Sequence, residues 1–313
     1  MESKSISVFA PASVANVGCG YDILGFALHE PGDKVIMHLN DTGKVTLDHI
    51  EGDEGRLPRD PDQNIVSAVV NYYLEKTGIH QGVSIELYKQ MPFGSGLGSS
   101  SASAVAGLVA INELTDTPLT REELLPLAME GERLACGNAH ADNVAPALLG
   151  GLVLIRSYDP LDVIRLPYPE NLHAAILYPH VEIPTLEARK ILKTNIPMTD
   201  AIKQWGNVAG LVAGFCTHNT ELIGRSLEDF IIEPVRAMLI PHFYEMRKIA
   251  TDHNALGFGI SGSGPSVFTL CKDKKTAGKI LSLLQERLSK DGIDSTPYLS
   301  AINKTGPIVK RMQ

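Results

Sequence analysis

Four cysteines in 313 residues, one tryptophan and 6% aromatic residues leave this chain poor in several things at once. The cysteines stand at 19, 136, 216 and 271, with no CxxC pair and no metal-site spacing, which excludes a zinc ribbon or a disulfide scaffold. Scattered thiols in a chain this long fit a reducing compartment, where they act as small hydrophobes. No stretch reaches the ~18 apolar residues of a membrane helix. The opening MESKSISVFAPAS lacks the apolar region of a signal peptide. The expectation is a soluble cytoplasmic protein without a membrane partner. Positive charge is also short: 28 Lys and Arg face 36 Asp and Glu, for a net charge of -8. A nucleic-acid binder normally carries a basic excess. An anionic small ligand remains possible, because local arginines can still build a positive pocket. There is no fixed-period repeat and no low-complexity linker.

What the chain does have is an ordinary globular balance, 44% hydrophobic and 20% charged, at a length suited to about two domains. Residues 6–10 read as a strand stopped by Pro11. Residues 34–39 and 43–50 read as a hairpin turning around Asn40 to Thr42. Residues 64–76 have helical spacing closed by Gly78, and 83–88 alternate as a half-buried strand. A helix is expected from Ser99 to Glu113, and Thr120 with Glu123 makes a capping box for a helix towards Leu134. Residues 151–157 and 173–179 look like buried strands. Helical patterns follow at 185–192, 201–217, 241–251 and 275–288. Residues 257–270 read as strand, glycine turn, strand.

The stretch MPFGSGLGSSSASAVAG, residues 91–107, joins the strand at 83–88 to the helix at Ser99. Strand, glycine loop and helix N-terminus form an anion site, because exposed N–H groups and the helix dipole face the same point. Gly94, Gly96 and Gly98 let the backbone come close to a ligand. Ser99, Ser100 and Ser101 add hydroxyls for phosphate or Mg²⁺. No lysine follows Gly98, so this is not a Walker loop. A dinucleotide fold needs an acidic residue ~20 residues on, at the end of the next strand, and that distance falls in or just beyond the following helix. A serine-capped turn with no ligand stays open at this point.

Residues 92–102, PFGSGLGSSSA, resemble the Pro-x3-Gly-Leu-Gly-Ser-Ser-Ala-Ala signature of the GHMP kinases, with Ser101 where that family usually has Ala. Residues 11–28, PASVANVGCGYDILGFAL, resemble the first GHMP motif in its homoserine kinase form. Residues 259–268, GISGSGPSVF, resemble the third. Residues 131–151, GERLACGNAHADNVAPALLGG, and the segments 187–193 and 231–241 are also similar to homoserine kinase segments. The resemblance spans the whole chain. It implies an α+β GHMP kinase fold, with a ribosomal-S5-like N-terminal domain over 1–167 and a ferredoxin-like C-terminal domain over 168–313.

The implied activity is ATP-dependent, Mg²⁺-assisted phosphorylation of the hydroxyl of L-homoserine. The alternatives are another small alcohol, such as mevalonate or shikimate, or an inactive GHMP-fold regulator. The resemblance places the ATP phosphates on Pro92, Phe93, Gly94, Ser95, Gly96, Leu97, Gly98, Ser99, Ser100, Ser101 and Ala102, and the adenine side near Asn64. Asn64 is equally well placed as a helix cap. Ser100 and Glu132 are the implied magnesium ligands. Homoserine's carboxylate calls for an arginine fork, from Arg189 and Arg236. Its ammonium calls for Asp22, with Asn16, His140, Thr185 and Gly262 around it. Asp142 and Asn143 flank the reacting hydroxyl. Asp142 reads as a base, a substrate contact or a structural residue. If Asn143 holds the relevant spot instead, phosphoryl oxygens must take the proton. Homodimers are frequent in such a family.

Overall fold

The computed structural model describes residues 5–115, 118–137, 140–183 and 185–312. The chain starts with β1 (Ser5–Ala15), β2 (Leu24–Asn40) and β3 (Val45–Glu51), followed by α1 (Ile65–Thr77) and β4 (Gly82–Tyr88). Three helices come next: α2 (Ser99–Leu114), α3 (Arg121–Cys136) and α4 (Ala141–Leu149). The hairpin of β5 (Leu152–Tyr158) and β6 (Leu161–Leu166) closes this half. Then come β7 (His173–Pro179), α5 (Thr185–Lys190), α6 (Met198–Cys216), α7 (Thr220–Ser226), α8 (Glu233–Arg236) and α9 (Phe243–Asp252). The chain ends with β8 (Gly257–Ile260), β9 (Val267–Cys271), α10 (Lys274–Ser289), β10 (Ser295–Ala301) and β11 (Ile308–Met312).

Two sheets organise these elements. A seven-stranded sheet runs β11-β1-β2-β4-β3, with β5 and β6 attached through β2, and a four-stranded sheet runs β10-β7-β9-β8. Helix α2 packs against β1 and β2 and is buried at every position from Ser101 to Asn112. Its small residues make this possible: Ala102, Ala104, Ala106 and Gly107 let strands and α1 approach closely, and a Cβ on Gly107 would sit 2.6 Å from a Val66 methyl. A second apolar cluster lies between the four-stranded sheet and helices α9 and α10. The division proposed between 167 and 168 falls in the link from β6 to β7. The last strand, β11, pairs with β1 and so lies in the sheet of the N-terminal half.

The helices expected at 64–76, 99–113, 120–134 and 275–288 are present within a few residues, and Thr120 and Glu123 do form the reciprocal capping box. Two strand expectations need correction. Strand β1 does not stop at Pro11; Pro11 pairs with Gly32, and the register shifts between Pro11 and Ser13. An irregularity there absorbs the missing N–H without ending the strand. Strands β2 and β3 also do not pair with each other. Strand β4 lies between them, antiparallel to β2 and parallel to β3. The intervening α1 makes β3 and β4 a crossover pair, as parallel strands require. The Asn40 side chain accepts from the Thr42 N–H (3.0 Å), so the turn chemistry is real although the hairpin is not.

Candidate active site

The glycine–serine segment leaves β4 and is tied down before it turns. Asp33 Oδ1 accepts from the N–H groups of Gln90 (2.9 Å) and Met91 (3.3 Å). Its Oδ2 is bonded by the Lys89 ammonium and by the Ser103 hydroxyl (2.6 Å). Lys89 also donates to Ser99 Oγ (2.6 Å), Ser99 O (3.1 Å) and Ser103 Oγ (2.8 Å). Both charges are buried, at 3% and 0% side-chain exposure. Burial pulls the Lys89 pKa down, and Asp33 pushes it back up. One polar knot therefore fixes the exit of β4 and the first turn of α2 together.

The loop's carbonyls face protein. Ser95 O accepts from Ser266 N–H (3.1 Å), Gly96 O from the Ser261 hydroxyl (2.8 Å) and Leu97 O from Ser13 N–H (3.1 Å). Gly98 caps α2 at φ +69 without a side chain, so the first-turn N–H groups of the helix lack a side-chain acceptor. A Cβ on Gly96 would meet Ser261 O at 2.4 Å, which makes glycine obligatory where the first and third glycine segments converge. In front of the loop lies a cavity of ≈ 420 Å³. Phe93, Gly94, Ser95, Gly96, Gly98, Ser99 and Ser100 line it, as do Asn64, Glu132, Asn143 and Gly262. Leu57, Ile65, Val66 and Leu87 make one end apolar. Pro92 faces a separate groove on the loop's outer side, and Leu97 and Ala102 are buried in the core. The Ser101 hydroxyl bonds the Glu132 carboxylate, while Ser100 is the one at the cavity wall. Asn64 accepts from Val66 N–H (3.1 Å) as the N-cap of α1 and also lines the cavity.

Gly262 also borders a cluster of charged side chains. Asp22, at φ +59, holds Arg189 in a two-pronged pair (3.0 and 3.3 Å), and His140 Nδ1 lies 3.8 Å from Asp22 Oδ1. Asn16 Oδ1 accepts from Asp22 N–H (2.8 Å), and Asn16 Nδ2 donates to Gly262 O (2.7 Å). Buried Arg236 donates to the same carbonyl (2.9 Å) and to Ala188 O (3.3 Å). The Tyr21 ring lies near both guanidinium groups, 5.6 Å from Arg189 and 5.0 Å from Arg236. Thr185 opens α5, but its side chain lies outside the described residues.

Helix α4 joins the two ends. His140 is its N-cap, Asp142 lies in its first turn, and Asn143 follows. Asn143 lines the cavity and accepts from the Ser13 hydroxyl (2.9 Å). Asp142 is 2% exposed. Burial, then the charges of Asp22 and Glu132, push its carboxyl up to about 8. Among the described residues, Asp142 Oδ1 and His140 Nε2 are buried without a hydrogen-bond partner. Burial lowers the His140 pKa; the Asp22 charge opposes this and the Arg189 charge adds to it. Among the described residues no cluster of three His, Cys, Asp or Glu forms a ready metal cage, and no helix is long and apolar enough to cross a membrane.

The sequence reading missed the Lys89–Asp33 knot and Tyr158, whose hydroxyl donates to Asp22 O (2.8 Å). Lys89 two residues before the loop, and an aspartate inside a strand, were the available signals.

Known proteins resemble this chain over nearly its full length. The model of the GHMP kinases N terminal domain matches residues 64–151, and that of the GHMP kinases C terminal matches 211–290. The homoserine kinase of Chloroherpeton thalassium is 48% identical over 97% of this chain and 98% of its own. That of Xanthomonas campestris is 35% identical over 96% and 92%. The crystal structure of homoserine kinase from Cytophaga hutchinsonii superposes with a TM-score of 0.96 at 55% identity, covering 98% of this chain and 97% of that one. The mevalonate kinase of Methanococcus jannaschii, 15% identical, shares the fold with a TM-score of 0.70 over 95% of this chain and 98% of its own.

Proposed function

We infer the function from one premise: the chain belongs to the homoserine kinase family of the GHMP kinases. It transfers the γ-phosphoryl group of ATP to the hydroxyl of L-homoserine, giving O-phospho-L-homoserine, a step of threonine biosynthesis. The observation that carries the choice of substrate is the Asp22–Arg189 pair at the charged end of the site. A zwitterionic amino acid presents an ammonium and a carboxylate side by side. It can exchange its own two charges for that pair, ammonium to Asp22 and carboxylate to Arg189, without leaving either half-buried charge unpaired. Mevalonate has no ammonium to offer Asp22.

At the other end, the N–H groups of the 93–100 loop and the α2 dipole take the triphosphate. The apolar end at Leu57, Ile65 and Leu87 takes the adenine, beside Asn64. The donor set also fits Mg²⁺. The Ser100 hydroxyl and the Glu132 carboxylate are hard oxygen ligands on one cavity wall, and this cation typically takes one or two carboxylates plus phosphate oxygens. When bound, the ion offsets phosphate charge as the phosphoryl group leaves.

Phosphoryl transfer depends on positioning and charge more than on a strong base. Asn143, which reaches the cavity, cannot accept a proton, and Asp142 is buried behind the lining. The alcohol's proton therefore goes to a phosphoryl oxygen, and Asp142, kept protonated by burial, adds no third negative charge between Asp22 and Glu132. Family membership also supports a homodimer in the cytoplasm.

The test is a coupled ADP-release assay on L-homoserine, mevalonate and shikimate. Turnover on L-homoserine alone is expected, with kcat/KM reduced roughly 100-fold in Asp22→Asn. Equal turnover on another of these alcohols, or ATP binding with no turnover on any, overturns the substrate assignment.

A further inference from the structure

Strand β5 ends at Tyr158, outside all three glycine motifs and 38% exposed. Its hydroxyl does two things. It donates to the carbonyl of Asp22 (2.8 Å) and accepts from the N–H of Ala141 (3.2 Å). Each bond fills a gap in the site. Ala141 is the first residue of α4, and the N-cap His140 gives that helix no side-chain bond, so the tyrosine oxygen replaces a cap. Asp22 sits in the left-handed region, with its N–H held by Asn16 and its C=O held by Tyr158. The Tyr158 ring also stands edge-on to His140, 6.3 Å between centroids at 81°. A single hydroxyl thus spans the peptide that aims the Asp22 carboxylate and the helix that carries Asp142 and Asn143.

We propose that Tyr158 is a positioning residue for the amino-acid substrate, fixing Asp22 relative to the start of α4. This rests on the reading of L-homoserine as substrate. Among the described residues Tyr158 makes no hydrogen bond to the 92–102 loop, so its effect falls mainly on the amino-acid substrate. A phenolic O–H suits the task, because it donates and accepts at once. Phenylalanine keeps the ring packing and loses both bonds.

The experiment compares full-length wild type with Tyr158→Phe. The KM for L-homoserine should rise about tenfold, with the KM for ATP within about twofold and kcat within about threefold. The melting temperature should fall by no more than about 3 °C. Amide exchange at Ala141 should quicken about tenfold, while amides in the middle of α2 keep their rates. Unchanged homoserine KM and unchanged Ala141 exchange overturn the proposal. So does a parallel rise in both KM values with a large drop in melting temperature, which would make Tyr158 a packing residue. A wild type inert towards L-homoserine overturns the substrate reading instead, and Ala141 exchange then still decides whether the clamp exists.

Discussion

The two ends of the active-site cleft are built on opposite plans. The end proposed for the nucleotide is mostly backbone: a glycine loop whose carbonyls are bonded inward and whose helix-start residues line the cavity. Its side-chain support, Asp33 and Lys89, lies beneath the loop and reaches it through buried hydrogen bonds. The end proposed for the amino acid is mostly side chain. Asp22, Arg189, His140 and Arg236 come from four separate segments and meet only in the folded protein. The difference suits the two proposed ligands. A triphosphate offers many equivalent oxygens and is well matched by a row of N–H groups. A small amino acid offers two opposite charges and one hydroxyl, and selecting it needs charges placed in an order. Substitutions should therefore separate the two ends by which substrate's KM they move.

The largest effect is expected beneath the loop. Lys89→Met leaves Asp33 buried without its cation, which typically costs about 3–5 kcal/mol. Stability measured by urea unfolding should fall by that order, and the KM for ATP should rise about tenfold or more while that for homoserine moves much less. Adding Asp33→Asn should recover part of the loss, with a coupling of about 2 kcal/mol in the double-mutant cycle. An unchanged ATP KM in Lys89→Met would mean the knot serves the fold alone.

Arg189→Ala should act in the opposite direction. Losing a forked, charged contact is expected to lower kcat/KM for homoserine by about 100-fold, with ATP KM steady. Arg189→Lys should recover little, because an ammonium cannot reproduce the fork. If both KM values rose alike, the two ends would be one cooperative unit and the division drawn above would fail.

How much was readable in advance divides along the same line. The loop at 92–102 was legible because its chemistry is local: glycines and serines adjacent in sequence are adjacent in space, and the helix they open is strongly patterned. Asn16, Asp22, His140, Arg189 and Arg236 were reachable only by resemblance, since nothing in residue spacing says that position 22 meets position 189. Lys89 and Asp33 were passed over because a lone charge in a strand pattern reads as surface. Tyr158 was missed for a related reason: its partners are main-chain groups, which leave no mark in sequence. Strand pairing failed where β4 came between β2 and β3, an insertion set by packing after α1 and not by the turn at Asn40 to Thr42.

Asp142 sits where the two ends meet, and its carboxyl tests the boundary through pH. Its folded-state pKa is raised to about 8, first by burial and then by Asp22 and Glu132. Between roughly pH 4, the ordinary carboxyl value, and about 8, the folded protein holds a proton that the unfolded chain has released. Stability therefore falls as pH rises through that window and levels off above it. Asp142→Asn removes the slope, so the variant should gain on wild type by about 1.4 kcal/mol per pH unit between pH 5 and 7. Its kcat should stay within about tenfold of wild type. A kcat lower by several orders of magnitude with KM steady would instead make Asp142 the general base. A stability difference independent of pH would show that the proton is not held.

The smallest effect separates two roles at one residue of the nucleotide end. Asn64 caps α1 through Val66 N–H, donates to Pro58 O (3.0 Å) and lines the cavity. Asn64→Ala should lose about 1 kcal/mol as a missing cap, and the KM for ATP should rise roughly threefold from one lost amide contact. Asn64→Ser restores a capping oxygen but no amide. It should return the melting temperature to near wild type and leave the ATP KM raised, because a hydroxyl one bond shorter cannot reach a base the way a carboxamide can. Should serine restore both quantities, Asn64 would be a cap and nothing more. The adenine end would then be recognised by apolar packing alone, which is the least selective plan available to it and the sharpest contrast with the charge order at Asp22 and Arg189.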